Sequence, residues 1–145
     1  MNNESHSIGR WISILYRYRQ SYINRKLESY DIGSGQYIIL LTLYKTGTQR
    51  QENLSDFLKI DKGCIAKSIK KLEEEGYVER TVDAEDKRAY KVLLTQKALD
   101  FMPVILDIVK SWEDIMTSVL AEDEIKILDN LLQKMAQKVF DTKTK

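Results

Sequence analysis

Hydrophobic residues recur at helical spacing along most of the chain, and two short segments alternate instead. The first periodic segment, 8–30, has two apolar stripes, and a helix that is apolar on two faces needs two partners to cover it. Segment 34–45 contains a continuous apolar run that fits either a buried strand or a buried helix. Gly47 and the helices that follow favour a helix for this segment.

Two shorter helices are predicted next. Thr48 and Gln51 have the spacing of a capping box, which predicts a helix over 49–58. Asp61 is a natural N-cap for a second helix over 62–75, which a glycine ends. The inward face of this second helix consists of Ile65, Ile69 and Leu72.

The hydrophobic period then changes from helical to alternating. Alternation over 77–82 resumes over 90–94, and the residues between, 83–88, are mostly charged. This pattern predicts a β-hairpin with a polar, charged tip. Three helices followed by a hairpin are the order of a winged helix-turn-helix, whose last helix can lie in the major groove of DNA.

The C-terminal part predicts two strongly apolar helices, 96–119 and 122–140. Pro103 lies inside the first and predicts a bend, because proline removes a backbone hydrogen bond. The last residues, 141–145, are predicted to form a disordered tail. Together with 8–30, these helices have more apolar surface than one small subunit can cover, which predicts an obligate homodimer.

Composition narrows the function. The 145 residues fit one subunit, and the single cysteine and single histidine, Cys64 and His6, exclude the usual zinc site and a disulfide within the chain. We expect no metal and no cofactor. No apolar run approaches a membrane span and the first residues are polar, so a cytoplasmic protein without a signal peptide is expected.

Charge is informative only locally. The net charge is +1, and residues 48–95 contain ten basic and ten acidic side chains, so a basic face there must be local. The outward face of helix 62–75 provides one, with small residues where the backbone must approach bases and lysines for phosphates. The glutamates at 73–75 lie at its far end. The predicted DNA-binding residues on this face are Lys62, Gly63, Ala66, Lys67, Lys70 and, at the margin, Lys71.

Four segments share a pattern with a known family: LSDFLKIDKG at 54–63, KKLEEEGYVER at 70–80, DKR at 86–88 and LT at 94–95. In these segments, and over nearly its whole length, the chain resembles the MarR family (multiple antibiotic resistance regulators). It departs from many members in having Gly63, Cys64 and Ala66 where Ser or Thr is common, which leaves few side chains to read bases.

The resemblance implies a fold that is mainly α with a small β-hairpin wing. Residues 1–145 would form one subunit, with a DNA-binding winged helix over 34–95 and a dimerisation part over 1–33 and 96–145. It also implies a transcriptional regulator, for which repression is the favoured mode. Such a regulator binds double-stranded DNA as a homodimer on a near-palindromic operator, and it often responds to small phenolic or anionic effectors or to oxidants.

The wing motif of that family matches Asp86 and Arg88. The resemblance implies that Arg88 enters the minor groove, where a narrow groove concentrates negative potential. Asp86 is two residues away and is predicted to orient the guanidinium. Lys87 adds a second basic side chain at the tip.

Two features have competing interpretations. Cys64 in the first turn of a helix is a candidate redox sensor, but a small residue that replaces Ser or Thr is favoured. The aromatic residues at helical spacing are favoured as core or dimer interface, with an effector pocket as the alternative. The candidate pocket residues are Trp11, Tyr16, Tyr18 and Tyr37.

No nucleophile–base pair or phosphate-binding glycine loop occurs in the sequence, so an enzyme is not expected. The main alternative function is a winged-helix module that binds proteins and never contacts DNA, and the neutral charge of 48–95 supports it. Binding to duplex DNA that falls steeply with salt distinguishes the regulator from this module.

Overall fold

A computed structural model describes residues 7–143 and contains six α-helices and three short strands within that range. His6 lies outside the described residues. The helices are α1 (Ser7–Leu27), α2 (Ser34–Thr46), α3 (Gln51–Leu58), α4 (Lys62–Glu74), α5 (Gln96–Thr117) and α6 (Glu122–Lys143). The strands are β1 (Gln49–Arg50), β2 (Val78–Val82) and β3 (Tyr90–Leu94). This is the predicted winged-helix architecture, mainly α with a small wing.

The three strands form an antiparallel sheet with the order β1-β3-β2. Val78 pairs with Leu94 and Val82 with Tyr90, while Arg50 of β1 pairs with Lys91. The predicted capping box of Thr48 and Gln51 is wrong, because the residue at the N-cap of α3 is Arg50. Pairing with β3 takes Gln49 and Arg50 into the sheet, so α3 begins two residues later than predicted.

One hydrophobic core joins the helix-turn-helix to its neighbours. Ile39, Leu40 and Leu54 from α2 and α3 are fully or almost fully buried, as are Ile23 of α1 and Ile105 of α5. The inward residues predicted for α4 are part of this core: Ile65, Ile69 and Leu72 are all buried. The last helix of the pair is therefore held by its apolar face, and the opposite face is left to solvent.

The chain divides into two compact units, the first ending at Lys110 and the second beginning at Ser111. The second unit contains the end of α5 and all of α6. The predicted disordered tail is wrong for Asp141 and Thr142, since α6 continues to Lys143. Many apolar side chains of α6 are exposed: Ile127, Leu128, Leu131, Leu132, Met135, Val139 and Phe140.

Candidate nucleic-acid interface

The start of α4 is fixed by a side-chain cap. Asp61 Oδ2 accepts a hydrogen bond of 3.3 Å from the backbone N–H of Cys64, so the predicted N-cap is confirmed. A Cβ at Gly63 would lie 3.2 Å from the same oxygen, which is closer than most such contacts. Glycine at this position therefore leaves room for the capping carboxylate. Because glycine has no side chain, the backbone of the first turn of α4 stays accessible from outside.

The outward face of α4 is open to solvent along its whole length. Cys64 is exposed in its first turn, beside the small residues. The six residues predicted to contact DNA are all exposed: Lys62, Gly63, Ala66, Lys67, Lys70 and Lys71. The structure thus presents a surface of small residues (Gly63, Cys64 and Ala66) bordered by four lysines, an arrangement that suits close approach to a polyanion.

The end of α4 is tied to the following strand and helix. Gly76 follows the helix with a positive φ of 80°, a conformation that favours glycine. Thr95 Oγ1 donates to the Gly76 carbonyl at 2.7 Å, and Lys97 Nζ donates to the Glu75 carbonyl at 2.6 Å. These bonds satisfy carbonyl groups that a helix end leaves without partners, and they fix the hairpin relative to α4.

The wing tip carries an almost fully exposed cation. The side chain of Arg88 is 95% exposed. Asp86 Oδ1 accepts a hydrogen bond of 3.0 Å from the Arg88 backbone N–H and lies 3.6 Å from Arg88 Nε. Lys87, between them, is also exposed. The geometry that the orienting role of Asp86 requires is therefore present in the free chain.

The base of the wing holds an ion pair between a buried aspartate and a partly exposed arginine, which sequence analysis missed. Asp83, expected at the polar tip, is buried, and its Oδ2 accepts from Arg50 Nε at 2.7 Å. Its Oδ1 accepts from the Glu85 backbone N–H at 2.8 Å. That amide and the Arg50 guanidinium hold the pKa of Asp83 below its ordinary value against the effect of burial, and Asp83 in turn raises the pKa of Arg50.

A second ion pair joins α4 to β2. Arg80 lies 3.3 Å from a carboxylate oxygen of Glu73 and stacks over the Tyr90 ring at 5.0 Å. This ion pair gives a structural role to Glu73, one of the glutamates at the far end of α4, where it balances the charge of Arg80.

A cleft of about 250 Å³ lies between the start of α4 and the wing tip. Lys62 from the start of α4 and Arg88 from the wing tip both line it. Its other lining residues are Gln51, Glu52, Ser55, Ile65, Ala89 and Tyr90. The structure therefore brings the start of the basic face of α4 and the wing arginine to the same cleft, although they are far apart in sequence.

The four candidate pocket residues do not share an enclosed cavity in the single chain. Trp11, Tyr16 and Tyr18 are each more than half exposed on α1. Tyr37 is buried in α2, its ring lies 5.5 Å from the guanidinium of Arg19, and burial raises its pKa. A pocket that uses all four residues would need further surface to close it.

Residues 7–143 offer neither a metal centre nor a membrane-spanning helix. In this range no group of three or more His, Cys, Asp or Glu side chains is placed to hold a metal ion. None of the helices that the structure describes combines the length and the apolar character that a membrane crossing requires.

Comparisons with known proteins agree in one family. The model of the MarR family matches residues 32–90. An HTH-type transcriptional regulator of Clostridium symbiosum, BilQ, is 30% identical over 112 residues, which cover 77% of this chain and 78% of that protein. The similarity therefore extends well beyond the helix-turn-helix.

Solved structures give the same result. A MarR transcriptional regulator from Methanosarcina mazei is 42% identical and superposes with a TM-score of 0.88, covering 94% of this chain and 99% of the other. A cysteine-to-serine mutant of MarR from E. coli, solved in complex with operator DNA, is 26% identical with a TM-score of 0.82, covering 92% and 96%. The whole described fold, and not the winged helix alone, is common to these proteins.

Proposed function

This chain belongs to the MarR family of transcriptional regulators, which are not enzymes, and on that premise we propose that it binds a near-palindromic operator as a homodimer. Helix α4 of each subunit lies in the major groove, and Arg88 of each wing enters the adjacent minor groove. Repression is the favoured mode. The protein acts in the cytoplasm, on the double-stranded DNA of the chromosome.

One observation carries the proposal. Lys62, at the start of the lysine face of α4, and the tip arginine line the same cleft, while the acidic Glu73 is paired with Arg80. Residues 48–95 contain equal numbers of acidic and basic side chains, so the basic character is local: it lies on the exposed lysine face of α4 and at the wing tip, where Arg88 stays 95% exposed beside Asp86. Phosphate contacts from lysines position such a protein, and an arginine in a narrow minor groove adds preference for DNA shape.

The proposal of a homodimer is supported by exposed apolar side chains on α1 and α6. Ile8, Trp11 and Leu15 of α1 are exposed, as are Leu128 and Leu132 of α6. Large exposed apolar patches mark interaction surfaces, because proteins that stay monomeric rarely expose them. A second copy of the chain would cover them, and two-fold symmetry would place two α4 helices on successive major grooves.

We also propose that a small phenolic or anionic effector releases the protein from DNA. The aromatic residues of α1 and the buried Tyr37 are the candidate contacts, once a second subunit covers the exposed side chains. Titration of the DNA complex with salicylate tests this proposal, and the expected result is a lower affinity for DNA at millimolar ligand.

Fluorescence anisotropy with a labelled duplex, selected from random DNA by the parent protein, tests the DNA interface. Arg88→Ala should weaken binding by about 1–3 kcal/mol without a change in thermal stability, because the side chain is exposed. Asp86→Ala should also weaken binding, although it removes a negative charge, because Arg88 loses the group that orients it. Tighter binding by the Asp86 variant would contradict the orienting role.

The matched control is Lys126→Ala, which removes an exposed cation from α6 and should leave affinity unchanged. A steep fall in parent affinity with rising salt is expected, since counterions are released on binding. No binding to any duplex at low salt would instead favour the protein-interaction module.

A further inference from the structure

Arg50 occupies a position where most helices have a different residue. It is the N-cap residue of α3, with φ −65° and ψ 141°, and its side chain makes no capping hydrogen bond. Ser, Thr, Asp and Asn are preferred at N-caps because their side-chain oxygens accept a bond from the first turn. Arginine has no acceptor and gives up this bond, so its presence needs another explanation.

The contact with Asp83 supplies that explanation. The Asp83 side chain is only 2% exposed, and Arg50 Nε reaches its Oδ2 at 2.7 Å. Because Asp83 is the buried partner, removal of Arg50 leaves a buried carboxylate without its guanidinium, which destabilises this contact. The pair also joins two elements 33 residues apart, the start of α3 and the end of β2.

Asp83 closes the wing loop as well. Its backbone N–H donates to the Ala89 carbonyl at 2.9 Å, and its Oδ1 accepts from the Glu85 N–H. Ala89 N–H in turn donates to the Asp86 carbonyl at 2.9 Å. The two ends of the loop that carries Arg88 are thus held by one residue, and that residue is fixed to the helix-turn-helix through Arg50.

Arg88 depends on this frame because little else holds it. Its side chain is 95% exposed, with Asp86 as the neighbouring carboxylate. A loop that must be ordered at the moment of binding lowers affinity. The direction of the exposed guanidinium therefore depends on Asp86 and on the backbone of the loop that carries both residues, and Asp83 holds the ends of that loop.

We propose that Arg50 and Asp83 form a positioning joint, which fixes the wing loop to the start of α3 and so sets the direction in which Arg88 meets DNA. The inference rests on the proposed contact of Arg88 with DNA. Neither Arg50 nor Asp83 needs to contact DNA in this arrangement, because Arg50 faces the carboxylates of Asp83 and, at 3.7 Å, Glu52, and Asp83 itself is buried. They act through Arg88.

A double-mutant cycle tests the joint. The four proteins are the parent, Arg50→Ser, Arg88→Ala and the double variant, measured by anisotropy on the duplex selected by the parent. Serine is chosen because it can cap α3, which offsets some of the stability lost with the ion pair. Arg50→Ser should weaken binding about tenfold in the parent and less than about twofold in the Arg88→Ala background, since coupled residues are not additive.

Two variants and one control complete the design. Arg50→Lys keeps the charge and should recover part of the affinity that Arg50→Ser loses. Asp83→Asn is nearly the same size and should repeat the non-additive result, which keeps the test usable if Arg50→Ser does not fold. Arg25→Ser, an exposed arginine of α1, should leave affinity unchanged.

Hydrogen exchange separates positioning from general stability. In Arg50→Ser the amides of Glu85 and Ala89 should exchange faster, while the amide of the buried Ile69 should not. Equal loss of affinity in both backgrounds, or no loss from Arg50→Ser, overturns the joint and leaves the proposed function intact. If Arg88→Ala itself binds as tightly as the parent, the wing contact fails and the joint fails with it.

Discussion

Helices α4 and α6 both have apolar residues at helical spacing, and these residues end in opposite environments. In α4 the apolar positions Ile65, Ile69 and Leu72 are buried in the core of the same chain. In α6 the corresponding positions, such as Leu128 and Leu132, are exposed. The apolar face of α4 is therefore covered within one chain, whereas the apolar face of α6 is left for another surface to cover.

The largest expected effect comes from a charge on the uncovered face. Leu132→Glu should convert the dimer into a monomer, because a buried carboxylate without a partner costs several kcal/mol. With only one half-site contact left, affinity for the operator should fall by about a hundredfold or more. Sedimentation at micromolar concentration measures the first effect and anisotropy the second. Lys134→Glu, an exposed change on the same helix, is the control, and a Leu132→Glu dimer as tight as the parent would contradict the interface.

A core truncation in α4 should instead act within one chain. Ile69 is fully buried, and Ile69→Ala should reduce the free energy of unfolding by about 2–5 kcal/mol through lost contacts and a cavity. The decrease should be the same at each protein concentration tested by denaturant unfolding. The neighbouring Lys70→Ala should change stability by less than about 0.5 kcal/mol. A decrease in unfolding free energy that depends on protein concentration would contradict this difference between α4 and α6.

A smaller effect is expected on the exposed side of α4. Lys67→Ala should weaken DNA binding and lower the slope of log affinity against log salt by about one for each phosphate contact, or about two for the dimer. If Lys67 reads guanine, the loss should be about 1–3 kcal/mol and restricted to certain sequences. Anisotropy at several salt concentrations distinguishes the two, with Lys126→Ala as control. An unchanged affinity and slope would show that this face does not meet DNA.

The smallest effect is predicted for Cys64. Cys64→Ser should leave folding and DNA binding nearly unchanged, because the side chain is small and exposed and its backbone N–H keeps the bond to Asp61. Peroxide should likewise have little effect on binding by the parent. Loss of binding in peroxide that Cys64→Ser prevents would establish the redox-sensing alternative.

The elements of the fold were predictable because each is set by a local pattern. The period of Ile65, Ile69 and Leu72 indicated the buried face of α4, and Asp61 indicated where the helix begins. The hairpin followed from alternation. The lysine face was identifiable for the same reason, since the outward side of a helix follows once the inward side is known.

What the sequence did not reveal depends on non-local contacts. Thr48 and Gln51 have capping spacing, but pairing of β1 with β3 decides where α3 begins. Asp83 was interpreted as one more charge at the tip, because nothing near it in sequence shows that Arg50 will meet it. The excess of apolar surface on the terminal helices was predictable, but periodicity does not say which surface covers the stripe of α6.

The small residues at the start of α4 leave room for change when the gene is duplicated. Gly63 is constrained by the Asp61 cap, but Ala66 is exposed and its side chain is a single methyl group. In the proposed complex, a larger polar residue there would reach a base edge without disturbing the buried residues behind it. Position 66 is therefore a place where a duplicated copy could change its preferred operator while the fold stays the same.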